Sequence, residues 1–327
     1  MTLDNRKITK ELTNKIKTTS IKTSAASLSA CTLCPRNCKA DRNSGKTGFC
    51  GVDSTIYLAR AALHMWEEPC ISGKKGSGAV FFSGCGLRCC FCQNYDIAIG
   101  SRGLPVTVER LSEIFLELKE KGAANINLVT GAHYVPQIIQ ALDMAREKGM
   151  DLPVVYNSSG YEKIETLKLL EGYVDVYLPD MKYMESELAQ KFSHAADYPE
   201  TAKAAIGEMV RQTGKCEFGE DGYIRKGTIV RHLILPGHTR NSVKVLKYLH
   251  ETYGDNIYIS IMNQYTPVRT FDTCKELNRK VTKREYEKVL DAAVDMGIKN
   301  GFIQEGGTAS ESFIPDFDYE GVEKNIP

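Results

Sequence analysis

The sequence predicts an α/β protein: a mostly parallel sheet of six β-α units curved into a partial (β/α)6 barrel, preceded by a small N-terminal cysteine-rich module. Three observations carry this. From residue 78 onward, short apolar runs alternate with amphipathic stretches, a rhythm that implies parallel strands joined by right-handed helical crossovers. The runs are near-continuously apolar, as in a sheet covered on both faces. Eight of the eleven cysteines fall into two tight groups, one before this series and one in its first loop. A wound open sheet is the alternative to the barrel, and either arrangement puts ligands at the C-terminal ends of the strands.

The units follow in order. "AVFFSGC" (79–85) reads as the first strand, and "TVERLSEIFLELKEKG" has apolar residues at helical spacing with a glycine stop. Strand and helix then alternate as "NINLVTG" (125–131) and "PQIIQALDMAREKG", "LPVVYNSSG" and "KIETLKLLEG", then "VDVYLPDMK" and one long helical stretch over about 185–213. "TIVRHLILPG" and "NSVKVLKYLHETYG" form the fifth unit, "NIYISIMNQYTPV" and "TKREYEKVLDAAVDMG" the sixth, and "NGFIQEGG" offers a last strand. "GEDGYIRKG" (219–227) reads as a tight hairpin. "GKKGSG" (73–78) precedes a strand, the wrong order for a dinucleotide loop, and reads as a turn. Polar residues gather at the expected strand ends: Thr130, His133, Asn157, Ser158, Asp180, Lys182, His238, Asn263 and Gln264. Tyr156, Tyr177, Tyr183, Tyr265 and Gln304 are further candidates for the barrel mouth.

Composition narrows the function. Apolar content of 42% and charged content of 25% are those of a soluble globular chain. A net charge of +1 gives no footing for a nucleic-acid partner. No apolar run approaches the ~18 residues of a membrane span, and the first 30 residues have lysines but no secretory apolar core. A cytoplasmic protein is expected, with thiols serving as metal ligands or catalytic groups rather than in disulfides.

"GCGLRCCFCQN" (84–94) packs four cysteines into eight residues. Cys85, Cys89 and Cys92 have the spacing C-x3-C-x2-C on the loop after the first strand. A fully ligated [4Fe–4S] cluster takes four thiolates, so three leave one iron open, as a catalytic metal site requires. Cys90 stands at the wrong intervals and is expected to point away. The bland alternatives are a zinc knuckle or scattered core thiols.

This spacing, its place after the first strand and the β-α series together resemble the radical S-adenosylmethionine superfamily. The resemblance implies that barrel type, a [4Fe–4S] cluster on Cys85, Cys89 and Cys92, and S-adenosylmethionine chelated at the open iron. It implies reductive cleavage to methionine and a 5′-deoxyadenosyl radical, which abstracts hydrogen from a substrate. An external electron donor such as flavodoxin or ferredoxin is implied too. "EPCISGKKGSGAVFFSGCGLRCCFCQN" with "CTLCPRNC" is more narrowly similar to pyruvate formate-lyase activating-enzyme-like proteins of the PflX type, over about residues 31–317. By the same resemblance Phe91 packs near the adenine, Lys182 of the D-x-K motif Asp180-Met181-Lys182 lies near the methionine carboxylate, and His232 reaches the ribose. The superfamily usually carries a Gly-Gly-Glu-like stretch after the second strand. This chain has "VTGAHY" instead, which leaves Thr130 and His133 to meet the methionine amino group. Asn157 is grouped with these cofactor contacts.

Cys31, Cys34, Cys38 and Cys50 have the spacing C-x2-C-x3-C-x11-C. Four thiolates close a site, and both zinc and an auxiliary [4Fe–4S] cluster fit. The expected division is an N-terminal arm (1–30), a four-cysteine module (31–70), the core (71–305) and a C-terminal tail (306–327). The leading function is a radical enzyme acting on a small-molecule or peptide substrate. The alternatives are an activating enzyme that makes a glycyl radical on a partner protein, and a non-catalytic metal-binding scaffold. No general acid or base can be assigned.

Overall fold

The computed structural model describes residues 28–304 and 315–324. Most of the expected N-terminal arm and part of the expected tail lie outside them. Among the described residues a 3-10 turn at Arg42–Ser44 is followed by β1 (Ile56–His64), α1 (Pro69–Ser72) and β2 (Ser77–Phe82). After the cysteine loop come α2 (Tyr95–Ala98), β3 (Leu104–Val106), α3 (Val108–Glu120), β4 (Ile126–Val129), α4 (Val135–Glu147), β5 (Val154–Ser158), α5 (Ile164–Leu169) and β6 (Val176–Pro179). The series continues with α6 (Ser186–Ser193), α7 (Tyr198–Thr213), β7 (Glu217–Phe218), β8 (Ile224–Leu233), α8 (Thr239–Tyr253), β9 (Tyr258–Met262), α9 (Lys283–Asp295) and β10 (Gly301–Ile303).

Strands β2, β4, β5, β6, β8, β9 and β10 pair in parallel and in chain order. These are the six expected strands and the last one. β7 folds back on β8 in the expected hairpin. Two antiparallel strands were not foreseen: β1 pairs with β2, and β3 with β1. The strand order ends at β10 on one side and β3 on the other, so the sheet among the described residues is open. It is nonetheless curved, because residues from β2, β4, β5, β8 and β9 line one cavity. The long helical stretch is two helices: His194 takes a left-handed backbone (φ 51°) after α6, and Pro199 sits in the first turn of α7. β1 lies within the expected 31–70 module, and residues 315–324 dock on it, with Tyr319 N donating to Ala59 O and Ala61 N to Glu320 O.

Local chemistry accounts for the helices. Thr107 caps α3 by accepting from Arg110 N, and Leu111, Ile114, Phe115 and Leu118 form its buried stripe. Thr282 and Glu285 make a capping box at the start of α9.

Strand alternation decides which residues reach the cavity. Val80, Phe82, Leu128, Tyr156 and Tyr177 share a core with α3 and α4, and Val230, Ile259 and Ile261 share one with Val245, Leu246 and Leu249 of α8. The intervening residues, such as Phe81, Val129, Asn157 and Arg231, face inward. His232 therefore points to the helix layer and not to the cavity. It is buried, with Nδ1 2.7 Å from Met181 O and Nε2 2.8 Å from Ser242 Oγ. A neutral ring serves both, donating to the carbonyl and accepting from the hydroxyl.

Burial pushes the His232 imidazole down to about 4, from an ordinary 6.5. Between those values the unfolded chain binds a proton that the native site refuses, so stability falls as pH drops from 6.5 to 4. In urea unfolding, a His232→Gln protein should be less stable than wild type at pH 7. That gap should narrow by up to ~3 kcal/mol at pH 4. A gap independent of pH would contradict this placement.

Candidate active site

The loop after β2 carries the three spaced cysteines onto one wall of a cavity of about 190 Å³. Arg88 reverses the chain in a left-handed conformation (φ 52°) between Cys85 and Cys89, and Cys92 N donates to Cys89 O at 3.1 Å. Leu87, fully buried, anchors the loop. Cys89 Sγ accepts from Ser193 Oγ at 3.1 Å, and Ser193 in turn shares a hydrogen bond with Tyr183 Oη. Phe91 lines the cavity and meets Phe192 and Tyr265 edge-on. Cys90 is not among the lining residues. Its N–H donates to Phe192 O, its carbonyl accepts from Arg269, and its thiol lies toward Cys274.

Opposite the thiols is a charged network that sequence reasoning saw only in part. Asp180 accepts from Lys182 Nζ at 2.6 Å with one oxygen and from Arg231 Nε at 3.0 Å with the other. Arg231 also donates to Asn157 Oδ1 at 2.6 Å and to Glu67 Oε2 at 3.2 Å. Glu67 Oε1 accepts from Asn127 and Asn157. Burial opposes the Asp180 charge, but Lys182 and Arg231 overcome it and hold its carboxyl below the usual range. Burial likewise opposes the Lys182 charge, and Asp180 with the Cys89 and Cys92 sulfurs restores it. Arg231 and Glu67 were missed. The alternation of β8 could have found Arg231, since it shares a face with Ile229 and Leu233 while His232 shares one with Val230. Glu67 belongs to no motif.

Thr130 lines the cavity in a left-handed conformation (φ 61°), with its N–H bonded to Asn157 O. Ser158, Gln264 and Tyr265 line it as well. His133 does not. It is buried behind the end of β2, with Nε2 2.8 Å from Ser83 O, and desolvation drives its ring down to about 3. The amino-group contact expected of His133 is thus not available to it. Tyr156 and Tyr177 face the helix layer, and Gln304 binds the backbone of Asn263.

Burial pushes the Cys92 thiol up to about 12, with Cys89 and Cys85 adding to the shift and Lys182 opposing it. Cys89 is raised for the same first reason. Ionising these neighbours together needs a cationic group among them, which an iron cluster provides, since a coordinating thiol is deprotonated outright. The donor set therefore fits a cluster bound by three thiolates.

In the N-terminal module Cys31 and Cys50 are buried, Cys34 is half-buried and Cys38 is exposed. Burial takes Cys34 up to about 12, with Cys50 and Cys31 as charged neighbours, and raises Cys50, whose neighbours include Cys31 and Cys38. A Cβ on Gly48 would stand 2.6 Å from Cys38 Sγ, so this sulfur lies against the Gly48 backbone. Among the described residues no three His, Cys, Asp or Glu side chains are gathered as ligands of a single metal ion. Zinc here would require the sulfurs to close to about 2.3 Å from one centre.

Residues 79–249 match the Radical SAM superfamily. The chain belongs to that superfamily. Membership implies an enzyme with a [4Fe–4S] cluster and S-adenosylmethionine as cofactors. This radical SAM chain is 28% identical over 271 residues to the uncharacterized protein MJ0674 of Methanocaldococcus jannaschii, covering 80% of this chain and 74% of that one. It is 28% identical over 113 residues to the pyruvate formate-lyase-activating enzyme of Clostridium pasteurianum, covering 33% of this chain and 46% of that enzyme. Among solved structures, Streptococcus suis SuiB bound to S-adenosylmethionine superposes with a TM-score of 0.42 at 14% identity, over 68% of this chain and 45% of SuiB. The hydrogenase maturase HydG of Carboxydothermus hydrogenoformans gives 0.46 at 12%, over 67% and 50%. The chain spans about half the length of those two structures.

The loop geometry separates adjacent cysteines. After anaerobic reconstitution of a protein in which the N-terminal four are serine, Cys89→Ala should lose at least nine-tenths of its iron, while Cys90→Ala should retain the parent content. Equal loss in both variants, read by iron assay and visible absorption, would contradict the ligand assignment.

Proposed function

We propose that this radical SAM enzyme holds its catalytic cluster on Cys85, Cys89 and Cys92 and acts on a small-molecule or peptide substrate. The observation that carries the reading is the meeting of those three thiols and the Lys182–Asp180–Arg231 network in one cavity. With cluster and S-adenosylmethionine bound, the cofactors supply the reductive cleavage that yields methionine and a 5′-deoxyadenosyl radical. The protein's part is to bind, orient and shield. Lys182 spends one recorded hydrogen bond on Asp180, and its ammonium has three donors, so it can also take the methionine carboxylate. Asp180 is fixed by two cations and holds Lys182 in place. Phe91, in contact with two aromatic rings, offers the adenine a rigid apolar wall. Thr130 and Asn157 offer polar contacts at the strand ends. His133 and His232 have no part in this assignment.

Cys31, Cys34, Cys38 and Cys50 hold an auxiliary metal group in this reading, a second [4Fe–4S] cluster in preference to zinc. The spacing of the four cysteines on one short segment and the electrostatic coupling of Cys34 and Cys50 to their neighbouring thiols support it. The division into arm, four-cysteine module, core and tail is carried over from the sequence as part of this proposal. An external flavodoxin or ferredoxin supplies the electron. All eleven thiols are free, which suits a reducing cytoplasm, and no described helix is long and apolar enough to cross a membrane. A PflX-type protein related to the activating enzymes is the nearest description. Its motifs and the partial match to the Clostridium enzyme keep a second reading in play, a glycyl radical made on a partner protein.

Reduced, reconstituted protein given S-adenosylmethionine should release 5′-deoxyadenosine and methionine in equal amounts. A full cluster without product would favour a metal-binding scaffold, and transfer of deuterium from a labelled glycine of a partner would favour the activase. Lys182→Met should weaken S-adenosylmethionine binding about tenfold or more, the loss of a charged hydrogen bond. Unchanged affinity, measured by equilibrium titration, would remove Lys182 from the site.

A further inference from the structure

The two cysteine groups are separated by 35 residues of sequence, from Cys50 to Cys85, yet they touch, and the contacts fall on both sides of Cys85. A Cβ on Gly84, whose φ is +90°, would stand 2.9 Å from the carbonyl oxygen of Cys50. A Cβ on Gly86 would stand 3.4 Å from Cys34 Sγ. The N-terminal thiol loop is thus laid directly against the backbone that carries a catalytic thiol; at Gly84 glycine is what permits that approach, and at Gly86 the approach is an ordinary van der Waals contact.

Two arginines of the module tie the groups together. Arg36, between Cys34 and Cys38, donates to Gly86 O at 2.8 Å, Leu87 O at 3.5 Å, Ser193 O at 3.0 Å and His194 O at 2.5 Å. Gly86 and Leu87 span the interval between Cys85 and Cys89, and Ser193 is the hydrogen-bond donor to Cys89 Sγ. The Arg36 guanidinium is itself braced by the Phe49 ring at 4.0 Å and the Tyr161 ring at 5.2 Å, and Phe49 adjoins Cys50. Arg42, fully buried, donates to His133 O at 2.6 Å and approaches Cys31 Sγ at 3.8 Å. His133 continues the chain of contacts to Ser83 O. The histidine expected at the cofactor is a link in this second strap.

Between Cys31 and β1 the module's regular structure is one 3-10 turn at Arg42–Ser44, its own apolar cluster is Leu28, Cys31 and Leu33, and the rest of its support is borrowed from the core, through buried Cys50 and Val52 and the bond from Thr166 Oγ1 to Leu33 O. A small segment of this kind takes its geometry from the metal it binds. We infer that Arg36 is a positioning residue that couples occupancy of the four-thiol centre to the geometry of the Cys85–Cys92 loop. The inference rests on the reading that Cys31, Cys34, Cys38 and Cys50 hold a metal group. That group then acts as a folding staple for the catalytic ligand loop, whatever its identity.

The test uses the full chain, reconstituted anaerobically. Metal per chain is first measured in a Cys85/Cys89/Cys92→Ser protein, where only the N-terminal centre can load, with and without Arg36→Ala. In the parent chain, Arg36→Ala, Arg36→Lys and Cys38→Ser are then compared by amide hydrogen exchange over residues 84–92 and by the electron paramagnetic resonance of the reduced catalytic cluster, with and without S-adenosylmethionine. The expected result is metal in the triple variant irrespective of Arg36. In the parent chain, Arg36→Ala and Cys38→Ser should each speed exchange over 84–92 at least tenfold and broaden the resonance with S-adenosylmethionine. Arg36→Lys, which keeps the charge but not the fork, should fall between wild type and alanine. Metal in the triple variant combined with wild-type exchange and resonance in Arg36→Ala overturns the coupling and leaves the four-thiol centre standing. A triple variant that binds no metal overturns the four-thiol reading, and the coupling with it.

Discussion

Three thiols share one wall of the cavity, and burial keeps the protons on two of them, Cys89 and Cys92. Cys92 is driven up to about 12 and Cys89 moves the same way. This is the constraint on which the rest of the structure depends. Thiolates so close together repel one another, and each loses solvation. They can be ionised only if positive charge is placed among them and around them. A metal cluster supplies the charge among them. Lys182 supplies charge beside them, and the chain has gone to some length to keep that lysine in place.

That length is visible in how the network is built. Lys182 is paired with Asp180, Asp180 with Arg231, and Arg231 with both Asn157 and Glu67. A buried ion pair is weak evidence for stability, since desolvation opposes it. Here the pairs alternate in sign and leave the spare donors on Lys182, and they gather at the ends and inward faces of neighbouring strands and on the segment before β2. Such an arrangement is better understood as fixing the direction of one ammonium group than as holding the sheet together. The apolar alternation on the helix side, through residues such as Phe82, Tyr156 and Val230, holds the sheet together.

Much of this was legible in the sequence. The parallel strands and their order followed from the change of texture between runs such as "NINLVTG" and "PQIIQALDMAREKG". The three-cysteine loop followed from spacing, and the Asp180–Lys182 pair from its place at a strand end and its likeness to the D-x-K motif. Other features were hidden for physical reasons. β1 is antiparallel and carries "IYLARAALH", which has no clean alternation and sits among cysteines that draw attention elsewhere. The break at His194 follows from a left-handed residue that is not glycine. The likeness of "VRHLILPG" to the fifth strand of the activating enzymes pointed to His232, while the alternation of the strand puts Arg231, its neighbour, on the inward face. His133 follows β4 as a contact residue should, yet the 3-10 turn at Ala132–Tyr134 carries it behind the sheet's end to Ser83. Contacts such as Arg36 to Gly86 join residues 50 apart, and no local pattern announces them.

The central claim is that one iron of the catalytic cluster has no protein thiolate and is open to S-adenosylmethionine. Mössbauer spectroscopy tests this most directly, on the full chain reconstituted with iron-57. Addition of S-adenosylmethionine should shift the parameters of one iron and leave all the others unchanged. Irons that are all indifferent to S-adenosylmethionine in a protein that binds it, or a responding iron that survives replacement of Cys89, would contradict the account.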